Sequence, residues 1–182
     1  MPRLIKVTKP RVPSFADQLN IQVGNEFATE NQYLACGIYY DSVGMSHAAR
    51  FFYARSVDHR NNALRMVRYL LRASEFAIPG IVAPTTDFST PVAPVLIAVD
   101  RTRLGVEQIN QLFSCARQNT DYAAERFLQW FIRDRSVALT TMTRLLVAVT
   151  RRAAHGEDVE ERFRQENLSV SDDPSAPPIA GT

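Results

Sequence analysis

Four long stretches of this chain repeat their inward-compatible residues at alternating steps of three and four, the mark of one helical face. The first, over 13–42, places Phe15, Leu19, Val23, Glu26, Glu30, Tyr33 and Gly37 on that face. The second starts at Ser46, a capping residue type, and runs to about Ala73 with Phe52, Ser56, His59, Ala63, Met66 and Leu70; Asn62 lies beside Ala63. The third, over 92–118, carries Val95, Val99, Thr102, Val106, Ile109, Phe113 and Ala116, with Thr102 its only polar member. The fourth, over 121–154, carries Ala124, Phe127, Phe131, Arg135, Ala138, Met142, Leu145 and Val149. Turn chemistry separates them at Asp41–Gly44, at Asn119–Asp121 and at His155–Gly156, after which 157–167 reads as a short amphipathic helix.

The connection over 75–91 differs in kind. Pro79, Gly80, Pro84, Asp87, Ser89 and Pro91 exclude regular helix, while Ile78, Ile81 and Phe88 give the segment something to pack with. At roughly 16 residues it exceeds the two to eight usual between bundle helices, and it can run the full height of a bundle. The predicted fold is therefore all-α: a four-helix bundle at 13–167 with a long crossover between the second and third helices and a short fifth helix. Residues 1–12 form an N-terminal extension. The tail at 168–182, rich in Asp, Ser and Pro, has too little apolar surface to bury and is expected to be disordered.

The inner stripes carry an anomaly. Glu26, Glu30, His59, Asn62, Thr102 and Arg135 all project inward and should meet at mid-bundle. A carboxylate in a core costs several kcal/mol unless a cation compensates it. Inward carboxylates are a device of metal-centred four-helix bundles.

Composition narrows the classes. The 182 residues have 46% hydrophobic and 22% charged content, ordinary for a globular domain, and a net charge of +2 that gives no reason to expect nucleic acid. Lysine occurs only at Lys6 and Lys9, and the arginines are dispersed. Cys36 and Cys115 are isolated, without metal spacing, and read as two buried thiols of a reduced compartment. No apolar run reaches membrane-spanning length, so the expected location is cytoplasmic, with no membrane partner.

Several motifs in fixed order then point to a family. Asn25-Glu26-Phe27 with Gln32-Tyr33, Tyr39-Tyr40-Asp41-Ser42, Phe52-Tyr53, Arg60-Asn61, Ile78-Pro79-Gly80 and Phe127-Leu128-Gln129-Trp130-Phe131 together resemble the non-haem bacterial ferritins of actinobacterial type, over about 13–167. The resemblance implies a cage-forming subunit, a homo-oligomeric shell of twenty-four chains, and Fe(II) oxidation at a dinuclear site within each bundle, with iron stored inside. It also implies the ligands: a Glu from the first helix, Glu-x-x-His from the second, a Glu from the third and a Gln or Glu from the fourth.

Carried over by position, only the first ligand is kept, as Glu26. His59, Asn62, Thr102 and Arg135 occupy the others. Two iron ions need anionic oxygen ligands and a bridging carboxylate, and a guanidinium is never a ligand. The resemblance thus implies a degenerate site without catalytic residues: Glu26, Glu30 and His59 as a weak, vestigial metal set, and Tyr33, Asn62, Thr102 and Arg135 as a structural polar cluster. Arg135 is expected to pair with Glu26 or Glu30, with Tyr33, Asn62 and Thr102 filling the remaining hydrogen bonds. Arg60 stands where an axial methionine would bind haem, so no haem is expected, and iron is the only cofactor in view.

The surface along the second helix that would face the shell interior reads Arg55, Val57, Asp58, Arg60, Asn61 and Arg65, a poor template for ferric mineral. Shell assembly is expected through exposed aromatics at Tyr39, Tyr40 and Tyr69. The function expected is a non-catalytic storage or scaffold subunit, open to co-assembly with a catalytic ferritin chain. Two other readings stand beside it: a ferroxidase using other ligands, and a structural or interaction protein with no iron role.

Overall fold

The computed structural model describes residues 13–73, 76–166 and 173–181. It contains α1 (Phe15–Ser42), α2 (Ser46–Ala73), α3 (Ala93–Gln118), α4 (Tyr122–Ala154) and the short α5 (Glu160–Arg164). The predicted 1–12 extension and residues 168–172 lie outside the described residues.

Local chemistry sets the helix ends. Ser14 and Asp17 form a reciprocal capping box at the start of α1. Pro94 occupies the first turn of α3, where its missing N–H costs nothing. Asp121 caps α4 by accepting from the Ala124 N–H at 3.0 Å. Ser46, expected to cap α2, is instead its first helical residue. The first-turn N–H groups of His47 and Ala48 donate to the Glu160 carboxylate, which also meets the His47 ring at 2.9 Å. That contact docks α5 on the start of α2, where the helix dipole favours a carboxylate.

The crossover is a strap on α1. Asn20 Oδ1 accepts from the Ala77 N–H at 3.0 Å, and Gln32 bonds both the N–H and the carbonyl of Thr85 at 2.8 and 2.9 Å. A Cβ on Gly24 would lie 2.8 Å from the Gly80 carbonyl, so glycine lets the strap close on the helix. The strap rises beside α1 in the same direction, so α3 begins at the end of the bundle where α1 finishes. Phe88 is buried as expected, but Ile78 and Ile81 are exposed, because only the strap's α1-facing groups find partners.

The apolar core has two halves. One gathers Tyr33, Tyr40, Phe51, Phe52, Val95, Leu145, Val149 and Phe163; the other gathers Leu19, Val23, Met66, Leu70, Ile109, Leu128 and Phe131. Between them, at mid-bundle, lies a polar layer.

Three surface expectations are corrected. Tyr40 is fully buried and donates to the Pro91 carbonyl, and Tyr39 and Tyr69 are half-buried. Exposed apolar side chains are instead Ile21, Leu34 and Ile38 on α1 with Ile81 and Val82 on the strap. Cys36 is buried, with its thiol pushed up to about 12 by desolvation, whereas Cys115 is only partly buried; both are free.

The tail also departs from expectation. Over 173–181 it lies against α2 and α4: Trp130 Nε1 donates to Asp173 at 2.8 Å, Arg65 to the Pro177 carbonyl at 2.9 Å, and Arg68 to the Ile179 carbonyl at 2.7 Å. The Ala180 N–H closes onto the Leu64 carbonyl. Hydrogen bonds from arginines to main-chain carbonyls hold it, with little apolar surface needed.

Candidate functional site

Each long helix delivers a polar side chain to the mid-bundle layer: Glu26 from α1, His59 from α2, Thr102 from α3 and Arg135 from α4, all buried. Helical periodicity puts each on the inward face of its helix, and all four are buried there.

Glu26 is the hub. Its Oε2 accepts from Arg135 Nη2 at 2.6 Å and from His59 Nδ1 at 2.8 Å, and its Oε1 accepts from Gln22 Nε2 at 2.8 Å. Burial alone would raise the Glu26 pKa. The Arg135 charge, His59 and Gln22 outweigh it and bring the carboxyl from 4.5 down to about 2. Burial likewise works against charged Arg135, and the Glu26 carboxylate overrides it, so the guanidinium pKa is raised. Because Glu26 is ionised and can only accept, His59 Nδ1 must carry its proton. Arg135 Nη1, 3.5 Å from the same nitrogen, then meets a donor and forms no hydrogen bond with it.

The other polar residues stand apart from this pair. Tyr33 OH contacts Thr102 Oγ1 at 3.0 Å, and Thr102 donates to the Ala98 carbonyl at 2.7 Å. The Tyr33 ring packs edge-on to His59, and burial pushes its phenol up to about 12. Asn62 Oδ1 accepts from Arg65 at 3.2 Å. Glu30 pairs with Arg60 on the neighbouring helix, at 2.7 Å, and not with Arg135.

The expected Arg135–Glu26 contact is therefore direct. The expectation that Tyr33, Asn62 and Thr102 complete its hydrogen bonds is not met: Gln22 and His59 do so, and Arg135 Nε is buried with no partner. Gln22 was missed by the stripe, being four residues before Glu26 on an adjoining face; that spacing was its one sequence signal. Arg60 was likewise considered for haem and not for Glu30. The described residues contain no group of three or more His, Cys, Asp or Glu side chains placed to hold a metal ion.

A family model for the ferritin-like domain matches residues 16–152. The chain belongs to the ferritin family. It is 34% identical over 161 residues to Ferritin BfrB of Mycolicibacterium smegmatis, covering 88% of this chain and 89% of that ferritin. Ferritin BfrB of Mycobacterium tuberculosis is 30% identical over the same length, with 88% and 86% covered. Among solved structures, a humanized archaeal ferritin superposes with a TM-score of 0.80 at 18% identity, over 87% of this chain and 96% of that one. An open-pore ferritin from Archaeoglobus fulgidus gives 0.76 at 18% identity, over 84% and 96%. The two solved ferritins share the fold of the chain described here.

Proposed function

We propose that this chain is a shell-building ferritin subunit whose oxidation site has been replaced by a protein-only ion pair. It stores iron as a non-catalytic member of a twenty-four-chain shell, alone or beside a catalytic ferritin chain. The observation that carries this reading is Arg135 Nη2 at 2.6 Å from Glu26 Oε2, both side chains being almost wholly buried. A dinuclear iron site needs several carboxylates to offset its charge, and here a fixed cation already takes the one acid of the layer. Glu26, Glu30 and His59 remain as a weak metal set: a divalent ion must compete with Arg135 for Glu26 and with Arg60 for Glu30.

Shell assembly is supported by family membership and by the exposed apolar residues on α1 and the strap. A pure scaffold role is favoured by a different observation. The α2 residues expected to face the shell interior are neutralised or basic: Asp58 is paired with Arg55 at 2.8 Å, and Arg65 is held by the tail. Such a surface offers few free carboxylates for mineral nucleation.

Two measurements test the proposal. Aerobic Fe(II) oxidation by the purified homomer should not exceed the buffer rate, and robust turnover would refute the non-catalytic reading. Iron content of the particle isolated from its own cell separates storage, with many iron atoms per chain, from scaffold, with essentially none.

A further inference from the structure

Beside the ion pair lies a cavity of about 340 Å³, bounded by Tyr33, Phe51, His59, Asn62, Ala138 and Met142 among others. Its size falls within the range that holds small organic ligands. Two polar side chains of buried residues line it, His59 and Asn62. His59 Nδ1 is committed to Glu26, which leaves Nε2 as the ring's remaining polar atom. Asn62 Oδ1 is committed to Arg65, which fixes the amide orientation and leaves Nδ2 as a donor. The two residues sit three apart on α2, one above the other on the same face.

Charge selects against ions. Arg135 is compensated by Glu26, Arg55 by Asp58 and Glu166 by Arg162, while Asp134 opposes an anion. A cation would meet the Arg135 guanidinium 3.5 Å from the imidazole. The apolar part of the wall is soft: the Phe51 and Tyr33 rings, Val137, Ala138, and the Met142 thioether, which favours aromatic neighbours; Thr102 and Thr141 complete the lining.

We propose that this cavity binds a small neutral molecule with a hydroxyl on an aromatic body, a phenol or an aromatic alcohol. The hydroxyl hydrogen-bonds His59 Nε2 and accepts from Asn62 Nδ2, and the ring lies among Phe51, Tyr33 and Met142. The inference rests on the reading that Glu26 is closed onto Arg135, since a metal there would take the imidazole or displace the guanidinium.

The assembled particle is titrated calorimetrically with phenol, with toluene as the matched probe lacking the hydroxyl and benzoate as the anionic one. Phenol should saturate at one per chain, with toluene and benzoate each at least roughly tenfold weaker, as expected where a site's polar groups are left unpaired. Asn62→Leu should weaken phenol severalfold and leave toluene unchanged or tighter. Ala138→Phe should fill the space and remove all three. If Ala138→Phe fails to assemble, the phenol-to-toluene ratio in Asn62→Leu decides alone.

Absence of saturable phenol binding at millimolar concentration overturns the proposal. So does equal affinity for phenol and toluene, or wild-type phenol binding by assembled Ala138→Phe. Metal content and anaerobic Fe(II) uptake are measured on the same preparation. A metal-filled centre would therefore be recognised as a failure of the ion-pair reading, separately from the phenol result.

Discussion

Replacing Arg135 with methionine keeps an unbranched, flexible side chain, though a shorter one, and removes its charge. Glu26 would then be a buried carboxylate with only His59 and Gln22 as partners. Arg135 is the largest of the groups that offset the burial of Glu26, ahead of His59 and Gln22. The carboxyl falls from 4.5 to about 2 in the folded protein, and at about 1.4 kcal/mol per pH unit this corresponds to roughly 3 kcal/mol favouring the ionised form. That agrees with the roughly 3–5 kcal/mol commonly lost when one partner of a buried pair is removed. At roughly 2–4 °C per kcal/mol for a chain of this size, the melting temperature should fall by about 6–20 °C.

The sign with pH is fixed. Because the folded pKa is depressed, this contribution is fully present above 4.5 and is lost as pH falls through about 2. Calorimetric melts from neutral to acid pH should therefore converge for wild type and Arg135→Met at the acid end. The double variant Glu26→Gln/Arg135→Met should recover much of the neutral-pH loss, since no uncompensated charge remains. A single variant that melts with the wild type at neutral pH, or a double variant no better than the single, would refute the argument.

Other consequences are equally open to measurement. Restoring the family ligands together, as His59→Glu, Asn62→His, Thr102→Glu and Arg135→Gln, should yield Fe(II) oxidation above the buffer rate in a stopped-flow assay; an assembled but inert particle would mean that more than the ligands has changed. Gly37→Ala places a Cβ 2.5 Å from the Tyr53 ring; it should destabilise the α1–α2 contact by about 1–3 kcal/mol, read as a lower denaturation midpoint. Asp173→Ala removes the acceptor of Trp130 Nε1, and since Trp130 is the chain's single tryptophan, its emission should shift to the red; unchanged emission would mean that the tail is not held on α4.

The helical pattern in the sequence determined most of the architecture. Steps of three and four recur only if one face is buried, so the four stripes located the helices and put Glu26, His59, Thr102 and Arg135 inside. The length and proline content of 75–91 determined the crossover. Partner choice was not legible, because periodicity assigns a residue to a face but says nothing of the neighbour across the gap. Glu30 is one turn from Glu26, yet Arg60 claims it and Arg135 does not. Tyr40 is buried because the strap and α5 cover its end of the bundle, which no property of α1 reveals. The tail is held at 173–181 because Arg65 and Arg68 donate to main-chain carbonyls. Every residue type carries that carbonyl, so a pattern of side chains contains no trace of the contact until the chain is folded.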